Sequence, residues 1–370
     1  MMKDIRRILL FIETGGPGGA ERVVAALAKG FKELGKQVNV CTLRTGWLTE
    51  ELAAIGVPHH LIESGRGFDV FLPFKIARLA KSINADVLHT HLLDSNFYGA
   101  IAARIAGIPH LATEHGDVHH TQKKRFLSLK LGCLNLLQTK ISAVSEFTAN
   151  RLAELGIKRN NISCIGNPME LSAPLPGVRA KIRSELGVAP DRLTHWLWLH
   201  VANFRPVKDQ VTLIKGFAAS CKSSPIPQSL ALVGDGELKP ELQRLAASLG
   251  VEASVHFVGF QNNVPEWLCA ADGFILSSKS EALPMSILEA GMSGLTLVSS
   301  AVGGVPEIIT PTTGYLFSAG NSDELGQVLT KTVTNIPRSL QLAQAAREQI
   351  IAKYSTEKIL EELLSVYSGL

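Results

Sequence analysis

Two carboxylates, Glu281 and Glu289, stand eight positions apart in Ser280-Glu281-Ala282-Leu283-Pro284-Met285-Ser286-Ile287-Leu288-Glu289-Ala290. Proline is favoured at the first position of a helix, because its missing N–H would be unpaired there anyway, so Pro284 marks a helix start. Glu281 then belongs to the loop before that helix, and Glu289 lies about a turn and a half inside it. The amides that a helix start leaves free suit phosphate or sugar hydroxyls. An acid on each side of them can grip the two ends of a nucleotide sugar, since each carboxylate offers two acceptor oxygens. A Glu early in a helix also favours the helix dipole without binding anything.

A sugar leaving a nucleoside diphosphate builds negative charge on the diphosphate, which metal, cationic side chains or helix-end amides must meet. No Asp-x-Asp motif stands out as a metal site, and the candidate cations are Arg205 and Lys208, just after the apolar run Trp196–Val201. Most Arg and Lys are solvated surface residues, so placement after a strand is what singles these two out. Gly15-Gly16-Pro17-Gly18-Gly19 follows the apolar run Ile8–Ile12, where glycines let the backbone approach an anion closely. It lacks a Gly-x-Gly-x-x-Gly register, and Thr42-Leu43-Arg44 puts no acid at the end of the second strand, which argues against NAD. His115, in Thr-Glu-His-Gly, also follows a predicted strand, where a histidine is commonly just a satisfied loop residue. His89, His91, His119 and His120 are read as structural or acceptor-side.

Taken in order, these segments resemble the retaining glycosyltransferases of family 4 (glycosyl transferases group 1), which have the GT-B fold. The likeness rests on the Glu281–Glu289 spacing and on Gly15–Glu21, Thr113–Gly116, Ala143–Ser145 and Val201–Lys208. It continues through Val233–Gly236, Phe257–Phe260, Gly303–Glu307 and Thr313–Phe317, so it reaches from near the start to about residue 317. The resemblance implies an α/β fold of two Rossmann-like domains facing across a cleft. It assigns Arg205 and Lys208 to the diphosphate, Glu289 to the ribose hydroxyls, Glu281 to the transferred sugar and His115 to a hydroxyl beside the reacting carbon. Leu283, Pro284, Met285 and Ser286 would give backbone contacts, Gly259 and Phe260 would lie by the base, and Gly16, Gly18 and Gly19 near the diphosphate or acceptor. Many relatives carry the arginine two positions earlier, where Asn203 stands, so Arg205 would act from a shifted place. Front-face attack is usual for the family, and no protein nucleophile is named.

The implied reaction moves a sugar from a UDP- or GDP-linked donor to a saccharide or lipid-linked glycan, in cell-envelope polysaccharide synthesis, with no cofactor and no metal. Two other readings stay open: a nucleotide-sugar 2-epimerase or phosphorylase of the same fold, and a catalytically silent nucleotide-binding scaffold. The intact set of Glu281, Glu289, Arg205 and Lys208 speaks against the scaffold.

These residues need parallel sheets behind them. Short apolar runs alternate with amphipathic stretches along all 370 residues, which predicts helices covering parallel strands, in a chain long enough for two domains. The expected divisions are an acceptor-side domain over 1–170, a proline-rich linker over 171–190 and a nucleotide-sugar domain over 191–354. By resemblance, a last helix over 355–370 packs back on the first domain. Formal charge is only +4 and pI about 8.7, which argues against nucleic acid as the main partner. The five cysteines are scattered, in keeping with a reducing compartment and with neither disulfides nor zinc. No apolar run approaches bilayer length, and Ile8–Ile12 is too short for a leader core, so a cytoplasmic protein is expected. Lys123–Leu131 mixes cations with apolar residues at helical spacing. It reads either as an ordinary surface helix or as peripheral contact with the inner face of a membrane through Lys123–Lys130.

Overall fold

A computed structural model describes residues 5–65, 68–116, 126–170 and 176–370. The chain forms two compact units, Met1–Glu170 with Lys353–Leu370, and Leu171–Ala352.

In the first unit seven strands, β1 (Arg7–Ile12), β2 (Gln37–Thr42), β3 (His59–Leu61), β4 (Val87–His91), β5 (His110–Glu114), β6 (Lys140–Ala143) and β7 (Ile162–Cys164), form one sheet. Their order is β3-β2-β1-β4-β5-β6-β7, and every adjacent pair is parallel. Helices cover the sheet, so β1 is an apolar run buried on both faces instead of alternating: Ile8, Leu9, Leu10, Phe11 and Ile12 are all fully buried. The C-terminal helix Thr356–Ser368 belongs to this unit. Thr356 N–H bonds the Met169 carbonyl, and the Tyr367 ring sits 5.9 Å from that of Phe31.

The second unit holds β8 (Trp196–Val201), β9 (Gln228–Val233), β10 (Val255–Gly259), β11 (Gly273–Leu276), β12 (Thr296–Ser300) and β13 (Tyr315–Phe317), in the order β10-β9-β8-β11-β12-β13. All of its pairs are parallel too. The edge strands β3 and β13 have three residues each, too short to show alternation.

The stretch 171–190, expected to be a linker, is one only in part. It contains the helix Val178–Glu185, one turn of which sets Arg179 and Arg183 against Asp272 of the second unit. Arg183 and Asp272 are both fully buried at 2.7 Å, and Asp272 also accepts the Leu197 N–H, so the desolvated ions are well supplied with hydrogen bonds. Burial lowers the Arg183 pKa, and Asp272 opposes the change. The prolines conceal this helix because they bracket it: Pro176 precedes it and Pro190 follows. Pro174, like all of 171–175, lies outside the described residues.

Candidate active site

In a parallel sheet whose winding reverses, the loops leaving the two strands at the reversal diverge and open a crevice at their carboxyl ends. The reversal lies between β1 and β4 in the first unit and between β8 and β11 in the second. The predicted charged residues cluster at the second of these.

After β8 the chain makes a 3-10 turn, Pro206–Lys208, and Asp209 then caps the helix Gln210–Ser223 in the left-handed region, with φ 48°. After β11 the loop carries Ser277 to Glu281. The two loops are joined directly: Lys208 Nζ lies 2.5 Å from Glu281 Oε1, and that oxygen also accepts the Ser278 hydroxyl at 2.6 Å. Ser277 Oγ donates to the Lys208 carbonyl, and the Lys279 amide to that of Val207. Lys208 and Glu281 are partly buried, so the pair is screened less than a surface bridge. Arg205 is exposed, and its side chain makes no hydrogen bond or ion pair with a described residue.

Behind Lys208 is a residue that sequence reasoning missed. His200, fully buried in β8, bonds the Ile275 carbonyl at 2.9 Å and faces Gln210 Nε2 at 3.3 Å. Gln210 in turn donates to the Asn203 carbonyl, so the two side chains tie both ends of the 203–210 segment to the sheet. Burial pulls the His200 pKa down to about 4, which leaves the ring neutral behind a cation. Its signal was available: it is the one histidine in the apolar run Trp196-Leu197-Trp198-Leu199-His200-Val201.

The helix Met285–Met292 begins one residue later than expected. Pro284 is its N-cap, in extended conformation, and no side chain caps the helix. Pro284 therefore lies just before the first turn, with its carbonyl accepting the Ile287 amide, while the Met285 and Ser286 amides have no partner among the described residues. Leu283 is buried, and Glu289 is a partly buried residue in the second turn. The Glu281 loop is held from behind by Gly303-Gly304. Gly304 N–H bonds the Ala282 carbonyl, and Gly303, at φ 55°, approaches the Glu281 carbonyl so closely that a Cβ there would overlap it. Gly234-Asp235-Gly236 is packed in the same way. The Phe204 amide donates to the Asp235 carbonyl, and a Cβ on Gly236 would stand 2.5 Å from the Phe204 carbonyl oxygen. Gly259 ends β10 at φ 74°, its carbonyl takes the Gly234 amide, and Phe260 beyond it is exposed.

The first unit's reversal is built differently. Glu13 after β1 meets Ser95 after β4: the Glu13 amide donates to Ser95 Oγ, and that hydroxyl donates to Glu13 Oε2, both at 2.9 Å. In the glycine loop it is Gly15, not Gly16, that packs tightly, since a Cβ there would sit 2.6 Å from the Arg44 carbonyl oxygen and Gly16 faces open space. Gly18 is the extended N-cap of the helix Gly19–Glu33, again with no side-chain cap. His115, one residue past β5, is 2.9 Å from His91 Nδ1 through its Nε2, and the rings stack with centroids 5.2 Å apart. His89 lies 4.3 Å from His91, ring to ring, and bonds Tyr367 and Thr113. Burial lowers the pKa of His115 to about 4, opposed by the Asn167 side chain, and drives those of His89 and His91 well down. The next residue, Leu92, is held at φ 76° and ψ 150°, a region almost confined to glycine. His119, His120 and Lys123–Arg125 lie outside the described residues.

Comparison with known proteins accounts for this arrangement. Residues 17–173 match the family described as Glycosyltransferase Family 4, and residues 186–349 match Glycosyl transferases group 1. Among curated relatives, the N-acetyl-alpha-D-glucosaminyl L-malate synthase of Bacillus anthracis is 26% identical over 81% of this chain and 79% of its own. The UDP-Gal:alpha-D-GlcNAc-diphosphoundecaprenol alpha-1,3-galactosyltransferase of Escherichia coli is 24% identical over 87% of this chain and 85% of its own. Anabaena Alr3699/HepE, solved with UDP and glucose, superposes with a TM-score of 0.84 at 22% identity, covering 99% of this chain and 100% of that one. Two parallel α/β units, the first matched by one family description and the second by the other, make the chain a glycosyltransferase of GT-B fold that belongs to the group 1/family 4 glycosyltransferases.

Proposed function

We propose that the enzyme transfers a hexosyl group, with retention, from a UDP-linked donor to a hydroxyl of a lipid-linked glycan in cell-envelope polysaccharide synthesis. The observation that carries the donor half is the Lys208–Glu281 bridge across the β8/β11 reversal, beside the uncapped start of the helix Met285–Met292. A diphosphate draws on Lys208 and the Met285 and Ser286 amides, which are pre-positioned as stabilising charge on a leaving group requires, and on the exposed Arg205, which would have to swing in. Freed from Lys208, Glu281 takes hydroxyls of the transferred sugar, and Glu289 takes the ribose. Gly259 and Phe260 border the base. His115, neutral because it is desolvated, hydrogen-bonds a sugar hydroxyl without adding charge, and Gly16, Gly18 and Gly19 approach the diphosphate or the acceptor. Positive side chains serve the leaving group, so this reading needs no metal. Retention is expected from family likeness, with the donor's own phosphate oxygen taking the acceptor proton.

UDP is favoured over GDP because UDP appears in the names of the galactosyltransferase relative and of the HepE structure. The relative named for L-malate supports a second reading, a small hydroxy acid as acceptor. Peripheral attachment at the inner face of the membrane fits the lipid-linked reading. Among the described residues, no helix is long and apolar enough to cross a membrane.

The test is a panel of UDP- and GDP-sugars screened for thermal stabilisation, then for donor hydrolysis with and without a chelator. One UDP-hexose should stabilise by mass action and turn over equally with chelator present. Stabilisation by no nucleotide or nucleotide sugar would end the proposal.

A further inference from the structure

The first unit carries an outward face that its fold does not use. Phe68, Val70, Phe71 and Phe74 are 61%, 56%, 68% and 59% exposed, four large apolar side chains within seven residues. Single exposed apolar residues are ordinary, but a contiguous group of this kind marks an interaction surface. The group is rigidly mounted. Phe68 packs 6.1 Å from Phe97 and 5.9 Å from Tyr98, ring to ring, and Tyr98 Oη accepts the Asp69 amide. Asp69 takes the Phe71 amide at 2.9 Å and lies 3.5 Å from Lys75.

The helix Leu72–Ser82 continues the face. Leu72, Ile76, Ala77 and Ala80 turn inward and are buried. Phe71, Phe74, Lys75, Arg78 and Lys81 are exposed and, at 3.6 residues per turn, share an arc of about 120°. The helix has no acidic residue. Its outer surface therefore runs from aromatic rings at one end to cations at the other.

We propose that this face seats the protein on an anionic lipid surface, with Phe68, Phe71 and Phe74 entering the headgroup boundary and Lys75, Arg78 and Lys81 meeting lipid phosphates. Aromatic tips with adjacent cations are what such a boundary binds, and the cations favour it over a second protein, whose interface core is depleted of charge. The contact is distinct from the Lys123–Lys130 segment. It gains its purpose from the lipid-linked acceptor reading but is measurable without it.

The test is co-sedimentation of the full-length protein with vesicles of phosphatidylcholine alone or mixed with phosphatidylglycerol, at low and high salt. The unchanged protein should bind only the anionic vesicles, and less at high salt. Phe71→Ser with Phe74→Ser should weaken binding at least about tenfold, and Arg78→Gln with Lys81→Gln by a similar factor at low salt, roughly fivefold per cation. Both variants should keep unchanged melting temperature and donor hydrolysis. No binding to anionic vesicles, or equal binding by the serine variant, overturns the proposal. So does an oligomer that the serine variant disperses while vesicle binding persists, which makes the face a protein interface. Loss of donor hydrolysis in the unchanged protein, with vesicle binding intact, would count against the donor reading alone.

Discussion

The two units reverse their winding at the same point of the same kind of sheet, yet they furnish that point with opposite chemistry. At β8/β11 the loops meet through a partly buried lysine–glutamate ion pair. At β1/β4 they meet through Glu13 and Ser95, and the adjoining strand ends hold His91 and His115, stripped of charge by burial. The sheet order places a reversal in each unit, and the side chains at the strand ends differ: an ion pair in one, buried neutral rings in the other, which is the contrast the proposed diphosphate and hydroxyl roles draw on. A shared architecture thus fixes where chemistry occurs, and the loop residues fix which chemistry.

Four experiments would break or sharpen that contrast. The largest effect is expected on the charged side: Lys208→Ala should lower kcat by about 10²–10³-fold, the usual cost of losing one pre-positioned donor to a developing anion. Turnover within a few-fold of normal would remove the ionic reversal from the mechanism. Gly303→Ala comes next. Its Cβ would overlap the Glu281 carbonyl at a positive φ, so it should lower stability by about 1–3 kcal/mol and weaken donor stabilisation, both read from melting curves.

On the neutral side the lever is pH. The unfolded chain protonates its histidines near pH 6.5, while folded His115 resists to about 4, and His89 and His91 are held well down as well. Above 6.5 both states are neutral and pH has no effect through these groups. Below it the unfolded state binds more protons, so stability should fall as pH drops from 6.5 toward 4, by up to about 1.4 kcal/mol per pH unit for each ring. Denaturant midpoints that stay flat across this window would contradict the burial assigned to them. The smallest effect should come from His91→Ala. His91 contacts His115, and on the role proposed for His115 it would act on the sugar only through that ring, so kcat should drop by several-fold, on the order of one hydrogen bond, with donor stabilisation unchanged. A loss as large as that for Lys208 would mean that the histidines carry charge after all.

Much of this was legible in the sequence. β8 falls on the apolar run Trp196–Val201 and β1 spans the run Ile8–Ile12, because unbroken apolar runs ahead of the loops leave few alternatives. Glu281, Glu289, Arg205 and Lys208 could be picked out as chemistry-bearing because each lies just beyond a strand or within the following helix. What stayed hidden was pairing. No spacing rule shows that Lys208 and Glu281, 73 positions apart, share a bond, because the contact arises only when β8 and β11 become neighbours. His91 could be read no further than structural or acceptor-side for the same reason: its partner His115 reaches it only through the β4–β5 register. Gly16 was preferred to Gly15 on motif grounds, although crowding by the Arg44 carbonyl falls on Gly15.

The contact between Gly303 and the Glu281 carbonyl bears on how donor preference could be altered by engineering. Residues 277–284 cannot be replaced by a loop from a relative as though they were an independent cassette, since their backbone path is moulded against 303–304. A transplant that carries both stretches preserves the fit, whereas one that carries only the acidic loop leaves it without its mould and free to drift from Lys208.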